Sequence, residues 1–251
     1  MTALTVAFVT FALSFGGALL GMYLRNLLPE DHLREDVRDV IKLSTGLIGT
    51  MAALVLSLLI ASAKGSYDTK TTQIKQITAN IIQIDLELEQ YGSDARNLRV
   101  MLRSAVPPLI DQIWNEGDRA RASAYSATAE GLELVKGVRQ LQPGNDSKRE
   151  LQTQVLNAVA NLVQARLSLF TQSNNAIPTP FLSILIFWLA MIFTCFGLLV
   201  RSNRVVLVTF FVGGLSVACA IFLILEMGQP FTGLMQISSD APRHALAPLG
   251  P

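Results

Sequence analysis

The residue types able to do chemistry gather in one short stretch. His32 sits among Glu30, Asp31, Glu35 and Asp36. An imidazole beside carboxylates offers the donors that hold a divalent cation. The same stretch also reads as the solvated, acidic start of a helix. The second histidine, His244, is far along the chain and falls on the opposite side of a membrane in the topology derived below. The two cannot share one metal site within a subunit. There is no phosphate-binding G-x-x-x-x-G-K-[ST] loop, no G-x-S-x-G nucleophile elbow and no H-E-x-x-H zinc motif. The expectation is a protein that is not an enzyme and holds no metal or cofactor.

A weaker polar pattern lies inside the apolar part of the chain. Gly46, Thr50, Ala53, Ser57 and Ala61 step by helical intervals and share one face. Thr209, Gly213, Ser216 and Ala220 repeat the pattern, and Gly17 and Gly21 form G-x-x-x-G. Small faces let helix backbones approach closely in lipid. A face of hydroxyls and small side chains also suffices to line a passive pore for small ions. Gly46, Thr50, Ala53, Ser57 and Ala61 are therefore the candidate pore-lining residues. Leu54, Leu58 and Leu59 become constriction candidates only if that helix is rotated the other way. Glu226 is a candidate vestibule residue or an interfacial carboxylate in water.

Four elements must position these residues. The chain has 251 residues, 51% of them apolar and 16% charged, with a mean hydropathy of +0.42. Soluble domains carry about 25% charge. The apolar residues cluster in four runs: Ala3 to Leu24, Leu43 to Ala63, Pro180 to Val200 and Val205 to Leu225. Each is long enough for a bilayer core, which takes roughly 20 residues of helix. The first run has no basic stretch before it and exceeds a signal peptide's apolar core, so it reads as a retained span. No Asp, Glu, Lys, Arg or His interrupts any run. That argues against proton relays, voltage sensors and ion-coupled transport.

Charge completes the frame. The net charge is +1, which gives no basis for binding nucleic acid. Arg25, Arg34, Arg38 and Lys42 lie between runs one and two, and Arg201 and Arg204 between runs three and four. By the bias of basic loops these turns face the cytoplasm. Both termini and the middle segment then lie outside the inner membrane. Cys195 and Cys219 fall on the order of 13 Å apart in depth, too far for an intrachain disulfide.

Residues 64–178 are polar enough for water. Ile74, Ile77, Ile81, Ile84, Leu88 and Tyr91 follow the spacing of a narrow helical seam. One long helix is expected to leave the membrane and end at Gly92, with Asp94 capping the next helix. Pro107 and Pro108 interrupt that helix; a third covers about 127–141 and a fourth about 146–170. The seam from Ile74 to Leu88 is either the core of an antiparallel bundle or an oligomer seam between symmetry mates. The domain reading is 1–63 for two spans and a short loop, 64–178 for the bundle, 179–227 for a membrane hairpin and 228–251 for an ordered interfacial tail. The fold class is all-α: four transmembrane helices with a water-exposed helical bundle inserted between spans two and three.

Three stretches give this layout a likeness. They are Leu28-Pro29-Glu30-Asp31-His32, Gly46 through Asp68, and Leu225-Glu226-Met227-Gly228-Gln229-Pro230-Phe231-Thr232-Gly233 with Ile237-Ser238-Ser239. The chain resembles the bacterial bestrophin-like membrane protein family. Gly228 stands where members of that family often carry an acidic residue. The resemblance implies four spans with a helical insert, a homo-oligomer, and kinship with homopentameric anion channels. It implies no pore or calcium residues for this chain. Two expectations follow, a homo-oligomeric passive ion channel and a membrane-anchored helical-bundle sensor or scaffold. The partners expected are the bilayer, further copies of the chain and small ions.

Overall fold

The computed structural model describes residues 2–29, 35–114, 131–171, 179–231 and 233–246. All regular structure among them is helical. The helices are α1 (Ala3–Leu27), α2 (Glu35–Tyr91), α3 (Arg96–Trp114), α4 (131–140), α5 (Asp146–Thr171), α6 (Thr179–Leu199), α7 (Arg204–Met227) and α8 (Asp240–Leu246). Of the acidic stretch, Glu30, Asp31 and His32 lie outside the described residues while Glu35 and Asp36 open α2; 127–130, at the start of the expected third bundle helix, also lies outside them. The chain forms two compact units, Met1–Ser66 with Ala176–Gly228, and Tyr67–Asn175 with Gln229–Pro251.

In the first unit, α1, α6, α7 and the part of α2 before Ser66 are long and apolar enough to cross a membrane. Contact between α1 and α6 is at backbone level. A Cβ on Gly17 would fall 2.8 Å from the Ala190 carbonyl oxygen. A Cβ on Gly21 would overlap the Thr194 carbonyl, and one on Gly197 the Ala18 carbonyl. Lipid chains are as apolar as leucine, so close van der Waals fit of this kind holds spans together. The order of these contacts makes α1 and α6 parallel. Arg25, in the last turn of α1, donates through Nη1 to the carbonyls of Leu198 and Leu199. It thereby covers carbonyls that the end of α6 leaves without helical partners.

Helix α7 returns antiparallel. Phe211 stands edge-on to Phe11 and Phe15, with centroids 5.3 and 5.8 Å away. Among the small residues of α7, Gly213 is set against Phe193 of α6, Gly214 against Phe11 and Phe15 of α1, and Ala218 is buried. Of the expected small face, Thr209 and Ser216 are exposed instead. Helix α2 joins through Ala52, Leu59 and Ala63, which share an apolar cluster with Leu185, Leu189, Ile221 and Ile224.

The second unit is a water-type bundle built on the rest of α2. Ile74, Ile77, Ile81, Ile84 and Leu88 are all at most 4% exposed. They meet α3, α4 and α5 through Leu102, Val138, Val155 and Val159. These side chains fill the protomer's own core, so they cannot also face symmetry mates. The oligomer-seam expectation gives way to the bundle-core one. Helix α2 stops where expected, at Gly92, whose φ of 101° is costly for any residue with a Cβ. The Asp94 cap does not form as expected. Its carboxylate takes Lys148 Nζ at 2.8 Å, and a 3₁₀ turn, Ser93–Ala95, leads into α3. Helix α3 runs through Pro107 and Pro108. Asn145 Oδ1 accepts the Lys148 N–H at 2.8 Å and caps α5. Gln152 Nε2 donates to the carbonyls of Val138, in the last turn of α4, and of Leu141 just beyond it.

One charged group lies deep in this unit. The Asp85 side chain is 1% exposed. Arg99 binds both its oxygens at 2.9 Å, and Arg103 does so at 3.0 and 3.2 Å. Burial pushes the Asp85 carboxyl up, but the two guanidinium groups outweigh it and hold the pKa below its ordinary value. Arg99 also reaches Glu89, and its pKa is raised.

Two predictions follow from this arrangement. Gly21→Ala forces α1 off α6 and is expected to cost about 1–3 kcal/mol as overpacking. Thermal unfolding in one detergent checks it against Gly46→Ala, whose Cβ meets nothing within 4 Å and leaves stability unchanged or higher. Asp85→Asn leaves two guanidinium groups short of their anion. Breaking a buried pair costs about 3–5 kcal/mol, and the arginines' partial exposure sets this case near the lower end. Because the folded pKa is depressed, the wild-type contribution is complete above the ordinary carboxylate range near 4. It fades as pH falls through that range and below. The difference in melting temperature between wild type and Asp85→Asn should therefore be constant from pH 8 to 5 and shrink under stronger acid.

Candidate functional site

The described helices leave one face of α2 uncovered in the first unit. Thr45, Ala52, Leu59 and Ala63 are its buried positions there. On the other side, Gly46, Thr50, Ala53, Ser57 and Ala61 are all exposed. Nothing lies within 4 Å of a Cβ placed on Gly46. The small face therefore does not serve packing within the protomer, in contrast to Gly17 and Gly21 on α1. Leu59 is 4% exposed and belongs to the apolar cluster, whereas Leu54 and Leu58 are 72% and 62% exposed. Leu54 and Leu58 flank the small face; Leu59 does not.

The hydroxyls on this face are already hydrogen-bonded. Thr50 Oγ1 donates to the Leu47 carbonyl at 2.8 Å, and Ser57 Oγ to the Ala53 carbonyl at 2.8 Å. Such back-bonding satisfies the hydroxyl hydrogen without a partner helix. What remains outward is an oxygen lone pair. The face can sit against lipid, another helix or water without an unmet donor.

Glu226 is 7% exposed, in the last turn of α7. The alternative of an interfacial carboxylate in water is corrected by this burial. The side chain also takes part in an interaction within the structure. The cysteines are free. Among the described residues no group of three or more His, Cys, Asp and Glu is placed to hold a metal ion.

A groove in the second unit escaped the sequence reading. It has a volume of about 400 Å³ between α2 and α5. Gln73, Gln76 and Asn80 line one wall, and Asn161, Gln164 and Ser168 the other. Its signal was two amide-bearing stripes at helical spacing, overshadowed by the isoleucine seam beside one of them. The groove offers neutral donors and acceptors, a lining for water rather than for a fixed charge.

The tail after α7 belongs to the second unit. Trp114 Nε1 donates to the Ile237 carbonyl at 2.8 Å, and its ring stands edge-on to Phe231. Lys70 Nζ lies 5.9 Å from the Phe231 ring centre, and Arg243 pairs with Asp111 at 2.7 Å. The stretch from Leu225 to Ser239 thus carries both the end of a span and an anchored return onto the bundle.

Residues 12–241 match the bestrophin-like domain. The chain belongs to the bestrophin-like family. No curated protein and no solved structure matches it. Membership together with four apolar helices of spanning length makes this bestrophin-like chain a membrane protein.

Anchoring of the tail is testable. Trp114→Phe keeps the ring and removes the indole donor. It is expected to weaken tail docking by about 1 kcal/mol, the worth of one hydrogen bond. Hydrogen exchange of the full-length protein should quicken several-fold at residues 234–246, with α5 unchanged.

Proposed function

We propose that this bestrophin-like protein is a homo-oligomeric passive ion channel of the bacterial inner membrane. The observation that carries the reading is the open face of α2, Gly46 to Ala61, which the protomer's own spans leave uncovered. Copies arranged around an axis would bring these faces together with Leu54 and Leu58 beside them. Hydroxyls and small side chains then line a path, and the leucines narrow it. One protomer supplies no such path, since its spans close on an apolar cluster. The second reading is a membrane-anchored sensor or scaffold without transport. It is supported by α2 continuing as one helix from its apolar stretch to Tyr91.

Family kinship favours anions. The residues add a condition. The hydroxyl hydrogens of Thr50 and Ser57 point to the backbone, so an anion must turn them outward at the loss of a hydrogen bond. No enzymatic activity is proposed. The basic ends near Arg25, Arg201 and Arg204 face the cytoplasm, with both termini and the bundle on the other side.

The test begins with oligomeric state in nanodiscs. A ring of four or more subunits is expected. Bilayer recordings should then show a conductance that Ser57→Leu lowers at least fivefold. The reversal potential should report anions over cations. A monomer or plain dimer, or a ring that conducts nothing, overturns the channel and moves the scaffold to first place.

A further inference from the structure

The second unit contains a larger groove of different chemistry. Its volume is about 710 Å³. Leu102, Val106 and Leu109 of α3, Leu134 of α4, and Val159 and Leu162 of α5 form its walls, with Ile81 of α2 also lining it. Such walls deny a water molecule the two to four polar partners it needs. The size suits a single small ligand, roughly 300–1,000 Å³. One alkyl chain fits that range; a two-chain phospholipid exceeds it.

Two features set the polar end. Arg166 of α5 lines the groove and is only 7% exposed. A guanidinium stays charged in any protein setting and has five donors. It can keep a contact within the protomer and still bind an anion through a second pair of N–H groups. The other charged lining groups, Glu133 and Lys136, pair with each other at 2.7 Å and keep more than half their side-chain surface exposed. They contribute no net charge. The groove therefore presents a buried guanidinium, already engaged within the protomer, against apolar walls. The α3 wall also contains the Pro107-Pro108 pair. Those residues lack the N–H groups that would bond the carbonyls of Arg103 and Ser104, so this wall has fewer helical bonds resisting a shift.

We propose that this groove binds a single-chain anionic amphiphile, a long-chain fatty carboxylate, with its carboxylate on Arg166 and its chain along α3 and α5. The inference goes beyond the conduction reading and does not depend on it. A fatty carboxylate has both parts the groove selects, an alkyl chain and one compact anion. A neutral chain of equal length has only the first.

The test uses the full-length protein in nanodiscs and a diazirine analogue of palmitate. Saturable photolabelling is expected on α3 and α5 peptides. Palmitate should displace it at least tenfold better than hexadecanol. Arg166→Gln should cut labelling tenfold or more and abolish the preference for palmitate. Arg166→Lys, which keeps the charge, should restore part of that preference. If Arg166→Gln does not fold, Ala105→Phe, which fills the groove without touching the cation, should abolish labelling by itself. Labelling confined to the spans, equal competition by hexadecanol, or full labelling of Ala105→Phe overturns the proposal.

Discussion

Helix α2 runs unbroken from Glu35 to Tyr91, and within each unit the side it turns inward fixes the side that is left over there. Thr45, Ala52, Leu59, Ala63, Lys70, Ile74, Ile77, Ile81, Ile84, Leu88 and Tyr91 are all buried. Their separations are threes, fours and sevens, the steps that keep one helix face. Within each unit these positions form one buried side of the helix: Thr45, Ala52, Leu59 and Ala63 in the first, and Lys70 to Tyr91 in the second. The opposite side must be left over. In the apolar stretch that leftover side is the row from Gly46 to Ala61. Its exposure follows from helix geometry once Thr45, Ala52, Leu59 and Ala63 are turned toward the other spans.

The two units differ in composition, and the forces suited to each differ with it. In the first, apolar burial gains little against lipid, and association depends on fit. Gly17, Gly21 and Gly197 let α1 and α6 meet backbone to backbone, and Arg25 covers the end of α6. In the second, water drives apolar side chains inward, and Tyr91, Val138 and Val155 are each 1% exposed or less. This unit holds the Asp85 carboxylate at 1% exposure because Arg99 and Arg103 reach it from the adjacent helix. A charge without such partners would be expensive in either setting.

Much of this was legible in the sequence, for identifiable reasons. Hydropathy placed the spans, since twenty apolar residues in a row have few other uses. Gly92 marked the end of α2, and Asp146 the start of α5. The isoleucine seam was legible as a seam but not as to its partner. The same three-and-four spacing serves a bundle core and an oligomer, and only the positions of α3 and α5 decide between them. Asp85 with its two arginines was hidden, because the anion is on one helix and the cations on another. On α7 the expected small face holds only in part: Gly213 packs on Phe193 of α6 and Ala220 is half-buried, while Thr209 and Ser216 face out and Gly214 meets the phenylalanines of α1. Adjacent glycines at 213 and 214 meet different helices, which one stripe of small residues does not show.

The outward hydroxyls connect these points. Thr50, Ser57, Thr209 and Ser216 are all exposed, and each returns its hydrogen to a backbone carbonyl of its own helix. This lets polar atoms sit on the outside of a span at little cost. Neither α2 nor α7 therefore requires a partner for these groups. If copies of the chain assemble along the small face, the hydroxyls do not drive that assembly. Close backbone approach would have to do so, as it already does between α1 and α6. Gly46 and Gly49, both with open space around them, are the positions on α2 that permit it. The face is thus suited to meeting another helix closely at its glycine end and to facing water at its Ser57 end. That division would let one helix side serve both subunit contact and path lining.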